Sequence, residues 1–346
     1  MNEIPTNIPG KEFPVIITKT ENVSDILFQR CRDLDSGCLC VFERSVEKAK
    51  ELYNRVIDAT KSGKIIIDKE NVILFHSENT QANKKAILST LLNKFGKDRK
   101  NRPDKAIIIG TSILEQSLDV DFDYIVTPLC PIDLIIQRMG RLMRHDDIGT
   151  IREYCVIKKP FEVVIPTDYD VIKYIYDEDV LKATENMLQE INSIHTVNDI
   201  RKLIDSVYNT IPDEKYLKSL MSAEQILRDN PAYDTPNNTD GNGDAYRRMT
   251  PVTVSTREVT YETISFAIVS KKELNDDSYK MAQYLHENSI INTQKWKLEK
   301  FCDYVEGKHY MSNVRMYVTD DGIVHGDGIC MYLTKDGIVY EKDAEK

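Results

Sequence analysis

The chain has 346 residues, with 46 Lys and Arg against 56 Asp and Glu, a formal net charge of −10. Hydrophobic residues at 41% and charged residues at 29% exclude wholesale disorder, a collagen-like repeat and a disulfide scaffold. No stretch approaches the ~20 apolar residues of a bilayer-spanning helix, and residues 1–10 lack the basic segment and apolar core of a secretory signal. The expectation is a cytoplasmic protein with no membrane segment and two domains, or three, at roughly 100–200 residues each.

Seven cysteines, Cys31, Cys38, Cys40, Cys130, Cys155, Cys302 and Cys330, are odd in number and contain no C-x-x-C pair. Reduced, mostly buried thiols are expected, and no structural zinc site. Residues 1–150 sum to zero charge, so residues 151–346 carry the whole acidic excess. Within residues 84–105, eight basic residues face only Asp98 and Asp104, a local net of +6. Such a stretch attracts a phosphate backbone, or else it is the solvated end of a helix and the loop after it.

Short, nearly continuous apolar runs at 15–18, 38–42, 72–75, 106–110 and 124–127 predict strands covered on both faces. Helices are predicted between them. Ser45 caps one over 46–59, whose apolar stripe is Val46, Ala49, Leu52, Tyr53, Val56 and Ile57. Others run over 83–95 and 133–144. Strands alternating with helices imply right-handed crossovers and a mostly parallel sheet, an α/β fold. A further strand is expected at 154–157. Helices follow at 177–190, at 197–208 with Thr196 as cap, and at 213–229. Residues 230–244 are rich in Pro, Asn, Gly and Asp and read as a linker or mobile loop. The remainder is strand-rich, with turn signals at Asp320-Asp321-Gly322 and Lys335-Asp336-Gly337.

The most informative run is residues 110–147. It contains Gln137-Arg138-x-Gly140-Arg141-x-x-Arg144-His145. Placed on one helix, Gln137, Arg141 and Arg144 share a face. Gly140 removes a side chain beside that face and admits close approach by a ligand. Two guanidiniums on one edge suit an anionic, multi-oxygen target. In this reading His145 caps the helix C-terminus, and Asp121 and Asp123 sit in a solvated loop.

Q-R-x-G-R-x-x-R resembles motif VI of superfamily 2 helicases. Gly110-Thr111-Ser112 with Glu115 to Asp121 is similar to their motif V. The wording EQSLDVDFD followed by PIDLIIQRMGRLMRH resembles the CRISPR-associated helicase–nuclease of type I immune systems more than general RNA helicases, whose motif V usually has Gly where Ser117 stands. Residues 41–49 are similar to the segment after the first strand of this lobe, although Asn-Thr is commoner there than Arg44-Ser45. Residues 72–77, VILFHS, resemble motif IV, with Asn83-Lys84-Lys85 where an Arg is expected. The resemblance implies a second RecA-like lobe over residues 1–160, carrying motifs IV, V and VI. A helical segment over 161–230 follows, then a linker and strand-rich accessory domain over 231–346.

The resemblance also implies roles. Arg141 and Arg144 would reach the γ-phosphate of ATP as arginine fingers, and Gln137 would orient phosphate or water. Asp119 would contact the nucleotide ribose, beside Gly140. Thr111 and Ser112 would hold single-stranded DNA, as would His76 and Ser77; for His76 the alternative is a plain loop residue. The family's first lobe carries a P-loop and an acidic motif that holds Mg2+. Of the four Gly-Lys pairs here, at 10–11, 63–64, 96–97 and 307–308, none is followed by Ser or Thr. Tyr176-Asp177-Glu178-Asp179 superficially resembles the acidic motif, but it follows motif VI and falls at a helix start, where acidic residues are favourable. The six histidines, His76, His145, His195, His286, His309 and His325, are too scattered for the family's metal nuclease. No metal site is therefore assigned to these residues. The expectation is the back half of the family protein, a helicase part that is inactive alone. It would share ATP and Mg2+ with a P-loop lobe elsewhere and possess the CRISPR effector complex as a further partner. The competing reading is a non-catalytic binding module or decoy that contacts the motor, DNA or effector complex.

Overall fold

The computed structural model describes residues 10–115, 118–146, 160–169, 175–209, 263–273, 290–301, 304–306, 314–334 and 337–343. The strand expected at 154–157, the helix at 213–229 and the linker at 230–244 lie outside these residues, as do Gln116, Ser117, Cys155, Cys302, His286 and His309.

Each apolar run of the first half becomes a strand: β1 (Glu12–Thr20), β2 (Gly37–Phe42), β3 (Val72–Phe75), β4 (Lys105–Gly110) and β5 (Tyr124–Pro128). Two more join them, β6 (Phe161–Pro166) and β7 (Ser193–His195). They form one seven-stranded sheet in the order β3-β4-β2-β5-β6-β1-β7, parallel except where β7 runs against β1. Side chains alternate across it. In β2, Leu39 and Val41 enter one apolar layer while Cys38, Cys40 and Phe42 enter the other. The first layer is closed by α1 (Val23–Asp33) and α2 (Val46–Lys61), the second by α3 (Gln81–Phe95), α4 (Ile132–Met139), α5 (Glu178–Gln189) and α6 (Ile200–Tyr208). This is the doubly covered parallel sheet that the sequence predicts.

Local chemistry sets the helix starts. The Ser45 hydroxyl accepts from the Lys48 amide at 3.2 Å, and Thr80 accepts likewise from Asn83. Asp177 caps α5, so the acidic run at 177–179 serves a helix start. Three expectations are corrected. The sheet continues past residue 160, because β6 lies between β5 and β1. Its buried Glu162 breaks the apolar pattern and is satisfied by the Arg30 Nε at 2.6 Å and the Thr18 hydroxyl. Helix α6 starts at Ile200 rather than 197, because Thr196 instead accepts from the Lys11 amide at 2.9 Å. Helix α4 ends at Met139 rather than 144, for reasons given below. Helix α1 was not anticipated; its buried face is only Val23, Leu27 and Cys31.

The tail is strand-rich as expected. One sheet orders β10 (Val305–Glu306), β11 (Val314–Thr319), β8 (Thr263–Ser270) and β9 (Ile290–Gln294). A second orders β12 (Ile323–His325), β13 (Ile329–Thr334) and β14 (Gly337–Lys342). Phe266, Leu298, Phe301, Tyr317, Met331 and Ile338 form their shared core. The tail rests on the first sheet's helices and loops through Glu78. That buried carboxylate accepts from Lys50 at 3.2 Å and from Lys297 of the tail at 2.9 Å. Lys50 also donates to the Ile338 carbonyl at 2.7 Å. Among the described residues, no helix is long and apolar enough to cross a membrane.

Glu43 ends β2 as a buried carboxyl. Its amide donates to the Gly110 carbonyl at 2.8 Å, and its Oε1 has no hydrogen-bond partner among the described residues. Burial pushes its pKa up from 4.5 to about 7. The folded state therefore binds this proton more tightly than the unfolded chain does. The contribution is intact below the unfolded pKa and is lost as pH rises through the folded one. Glu43→Gln removes this titration. Urea denaturation at about pH 5 and about pH 8 is expected to show the variant gaining on wild type by roughly 3 kcal/mol at the higher pH.

Candidate functional site

Three strands end together at one edge of the sheet. Gly110 of β4 pairs in register with Phe42 of β2 and Phe75 of β3. A Cβ on Gly110 would lie 2.4 Å from the Phe75 carbonyl oxygen, so only glycine permits this approach. Thr111 follows, buried, with its amide 3.4 Å from the same carbonyl. Ser112 then opens a single 3-10 turn over Ser112–Glu115 and is exposed. Of the residues expected on DNA, Ser112 therefore faces outward and Ser77 is half-buried. His76 is fully buried; its imidazole packs against Gly337 of β14, where a Cβ would come within 2.7 Å of the ring.

The segment expected to extend helix α4 folds otherwise. Gly140 closes the helix, its amide bonded to the Ile136 carbonyl at 2.9 Å. The chain then turns back. Phe122 and Leu142 form a parallel bridge, the Phe122 amide donates to Arg141 and the Met143 amide to Phe122. Met143 takes a left-handed backbone, φ 45°, which costs an L-residue about 1–2 kcal/mol. Lys11 donates from the start of the chain to the Met143 and Asp146 carbonyls. Pairing with Phe122 thus overrides the helical period, and Gln137, Arg141 and Arg144 do not share a helical face.

The arginines consequently differ. Arg138 is buried, with its Nε on Glu115 at 2.8 Å, its Nη1 on Thr127 and its guanidinium 4.4 Å from the Phe42 ring centre. Arg141 is 9% exposed and donates to the Glu115 carbonyl at 3.1 Å. Its Nε is buried with no hydrogen-bond partner among the described residues. Burial, then the nearby charge of Arg144, lowers its pKa. The Arg144 side chain is 41% exposed. Its Nε meets Asp119 at 2.8 Å, and one terminal nitrogen reaches the Gly140 carbonyl at 3.3 Å. Gln137 and Gly140 lie exposed nearby. The Asp119 carboxyl is held below the usual carboxylate range, first by its hydrogen bond with His145 and further by Arg144. The His145 ring is mostly buried and lies 3.0 Å from Asp119, so its role is this contact rather than a helix cap.

Asp121 and Asp123 correct the expectation of a solvated loop, since both are fully buried. Asp121 accepts from the Arg144 amide and from Arg99, each at 2.9 Å. Asp123 accepts from the Cys38 amide at 2.7 Å and from Arg102 at 2.9 Å. Sequence reasoning missed this pairing because the acidic and basic partners lie ~20 residues apart with a strand between them. Among the described residues, no group of three or more His, Cys, Asp and Glu could hold a metal ion. Replacing Asp121 by Ala leaves the Arg144 amide without its acceptor and leaves Arg99 with Asp146 alone. The expected loss is about 1–3 kcal/mol, read from the shift of a urea midpoint.

Comparison with known proteins agrees with this architecture. Residues 35–147 match the family model described as CRISPR-associated nuclease/helicase Cas3, C-terminal. The Cas3 nuclease/helicase of Streptococcus thermophilus is 30% identical over 304 residues, which cover 81% of this chain and 29% of that protein. That of Escherichia coli K12 is 31% identical over 183 residues, covering 49% of this chain and 19% of the relative. The crystal structure of T. fusca Cas3 matches 96% of this chain and 43% of its own at TM-score 0.71 and 19% identity. A chain in a structure described as a CRISPR RNA-guided surveillance complex, pre-nicking, matches 96% of this chain and 45% of its own at TM-score 0.66 and 19% identity. The chain thus spans less than half the length of each of these relatives. It belongs to the Cas3 family of CRISPR-associated nuclease/helicases and holds the C-terminal part.

Proposed function

We propose that this chain completes an ATP-dependent helicase that moves on single-stranded DNA in CRISPR interference. It would do so by closing on a P-loop lobe that lies elsewhere. The observation that carries this reading is the exposed Arg144 guanidinium on a backbone fixed by the buried Asp121. An anionic triphosphate fits this edge, because Arg144 offers an outward charge, Arg141 sits behind it and Gln137 adds an exposed amide. Arg144 and Arg141 would neutralise charge on the γ-phosphate, Gln137 would orient phosphate or water, and Asp119 and Gly140 would lie on the nucleotide side. Mg2+ would be held by the P-loop lobe. Ser112 and Ser77 would donate to the DNA backbone, with the Thr111 segment setting their height. His76 would support this edge from below, since the tail covers it. Contact with the effector complex is part of the proposal and is supported by the surveillance-complex chain that shares the fold.

The isolated chain is expected to show negligible ATPase activity. Mixed with a P-loop lobe of the family, it is expected to gain DNA-stimulated turnover. Arg144→Ala should then lower kcat by ~10³-fold or more, the scale of an arginine finger. Turnover by the pure chain would refute the shared-site reading, and a mixture indifferent to Arg144→Ala would leave a non-catalytic binding module as the reading.

A further inference from the structure

Asp119 does not stand alone on the nucleotide side. Its Oδ1 lies 2.8 Å from the Arg144 Nε and 3.0 Å from the His145 Nε2. Guanidinium geometry gives this weight. A carboxylate on Nε fixes the plane of the group and leaves the terminal nitrogens for another acceptor. Here one terminal nitrogen also touches the Gly140 carbonyl at 3.3 Å. The backbone is held independently, through the Arg144 amide on Asp121. Two carboxylates of one motif, two residues apart, therefore grip Arg144 at its two ends. His145 is mostly buried behind the pair and keeps the Asp119 carboxylate from swinging out.

We infer that Asp119 is a positioning residue. Its carboxylate presets the plane of the Arg144 guanidinium before nucleotide arrives, and it acts on catalysis through that side chain rather than by holding the ribose. This rests on the proposed role of Arg144 as an arginine finger. An exposed ion pair of this kind contributes little to stability, so the contact orients without locking. Misplacing a reacting charge, by contrast, is costly to the chemical step.

The test is a double-mutant cycle on the full chain mixed with a P-loop lobe, measuring kcat and KM for ATP. Asp119→Asn keeps the shape and removes the charge. It is expected to lower kcat about tenfold with KM little changed, and Asp119→Glu to restore part of the loss. Combined with Arg144→Ala, it should cost nothing further, because residues that act as a unit are not additive. If Asp119→Asn raises KM and still costs its full factor in the Arg144→Ala background, a ribose contact is indicated and the inference fails. If Arg144→Ala alone has no effect, the finger reading fails instead. A second arm needs no partner. In the chain alone, the Arg144 Nε–H is expected to exchange severalfold more slowly than in Asp119→Asn, the scale of an exposed ion pair. Equal exchange in the two would overturn the inference even if the mixture is inert.

Discussion

The site depends on a carboxylate that water does not reach. Asp121 is fully buried, and an ion of that kind is tolerated only where neighbouring donors replace its hydration. Its partners come from separate parts of the chain: Arg99 after helix α3, Arg102 whose Nη1 also holds the Asp121 carbonyl at 2.9 Å, and the Arg144 amide. Its own amide is held by the Phe95 carbonyl at the end of α3. One residue thus ties the end of a helix, a basic loop and the turn after α4 into a single unit. Around it, Arg99 also pairs with Asp146 and Arg102 with Asp123, so two guanidiniums offset most of the charge of three carboxylates. The Arg144 backbone is held to this cluster through its amide on Asp121.

Charge counted along the sequence left two readings of one stretch open, and the fold sorts its cations. Residues 84–105 hold a net of +6, which alone suggests a phosphate-binding stretch. Folding places Arg99 and Arg102 against Asp121, Asp123 and Asp146, and Lys94 on Asn71 at 2.7 Å. Two of the eight cations are thus matched by acidic partners from distant segments. What remains outward on this stretch includes Lys85, Lys97 and Lys100. Net charge is a property of a surface, and a one-dimensional window cannot tell which charges will meet opposite partners.

The parts of the fold set by local rules were legible. Strands covered on both faces announce themselves as apolar runs, and β2 to β5 fall within one residue of the expected limits. The Ser45 cap followed from side-chain chemistry alone. Features set by long-range pairing were hidden. Strand β6 carries Glu162, an acceptable residue only because Arg30 and Thr18 lie in reach. The turn at residues 140–146 could not be seen from the 3.6-residue period, because Phe122 draws Leu142 into a bridge and Gly140 lets the helix stop. Arg141 and Arg144 were recognised as a pair from their spacing. Their division into a largely buried and an outward group came from that turn.

The tail adds a constraint on the edge where β3 and β4 end. Gly337 approaches the His76 ring so closely that a side chain there would have to displace the imidazole or the Glu78 carbonyl. Two lysines, one from α2 and one from the tail, share the Glu78 carboxylate beside it. Removing that carboxylate would leave two half-buried ammonium groups facing each other, whereas keeping it makes the docked tail the favourable arrangement. The segment after β3 is therefore fixed from above by the tail, as the segment after α4 is fixed from below by Asp121. Between them lie the half-buried Ser77 and the exposed Ser112 at the strand ends. The same segment, residues 110–121, supplies both Ser112 and the two carboxylates that hold Arg144.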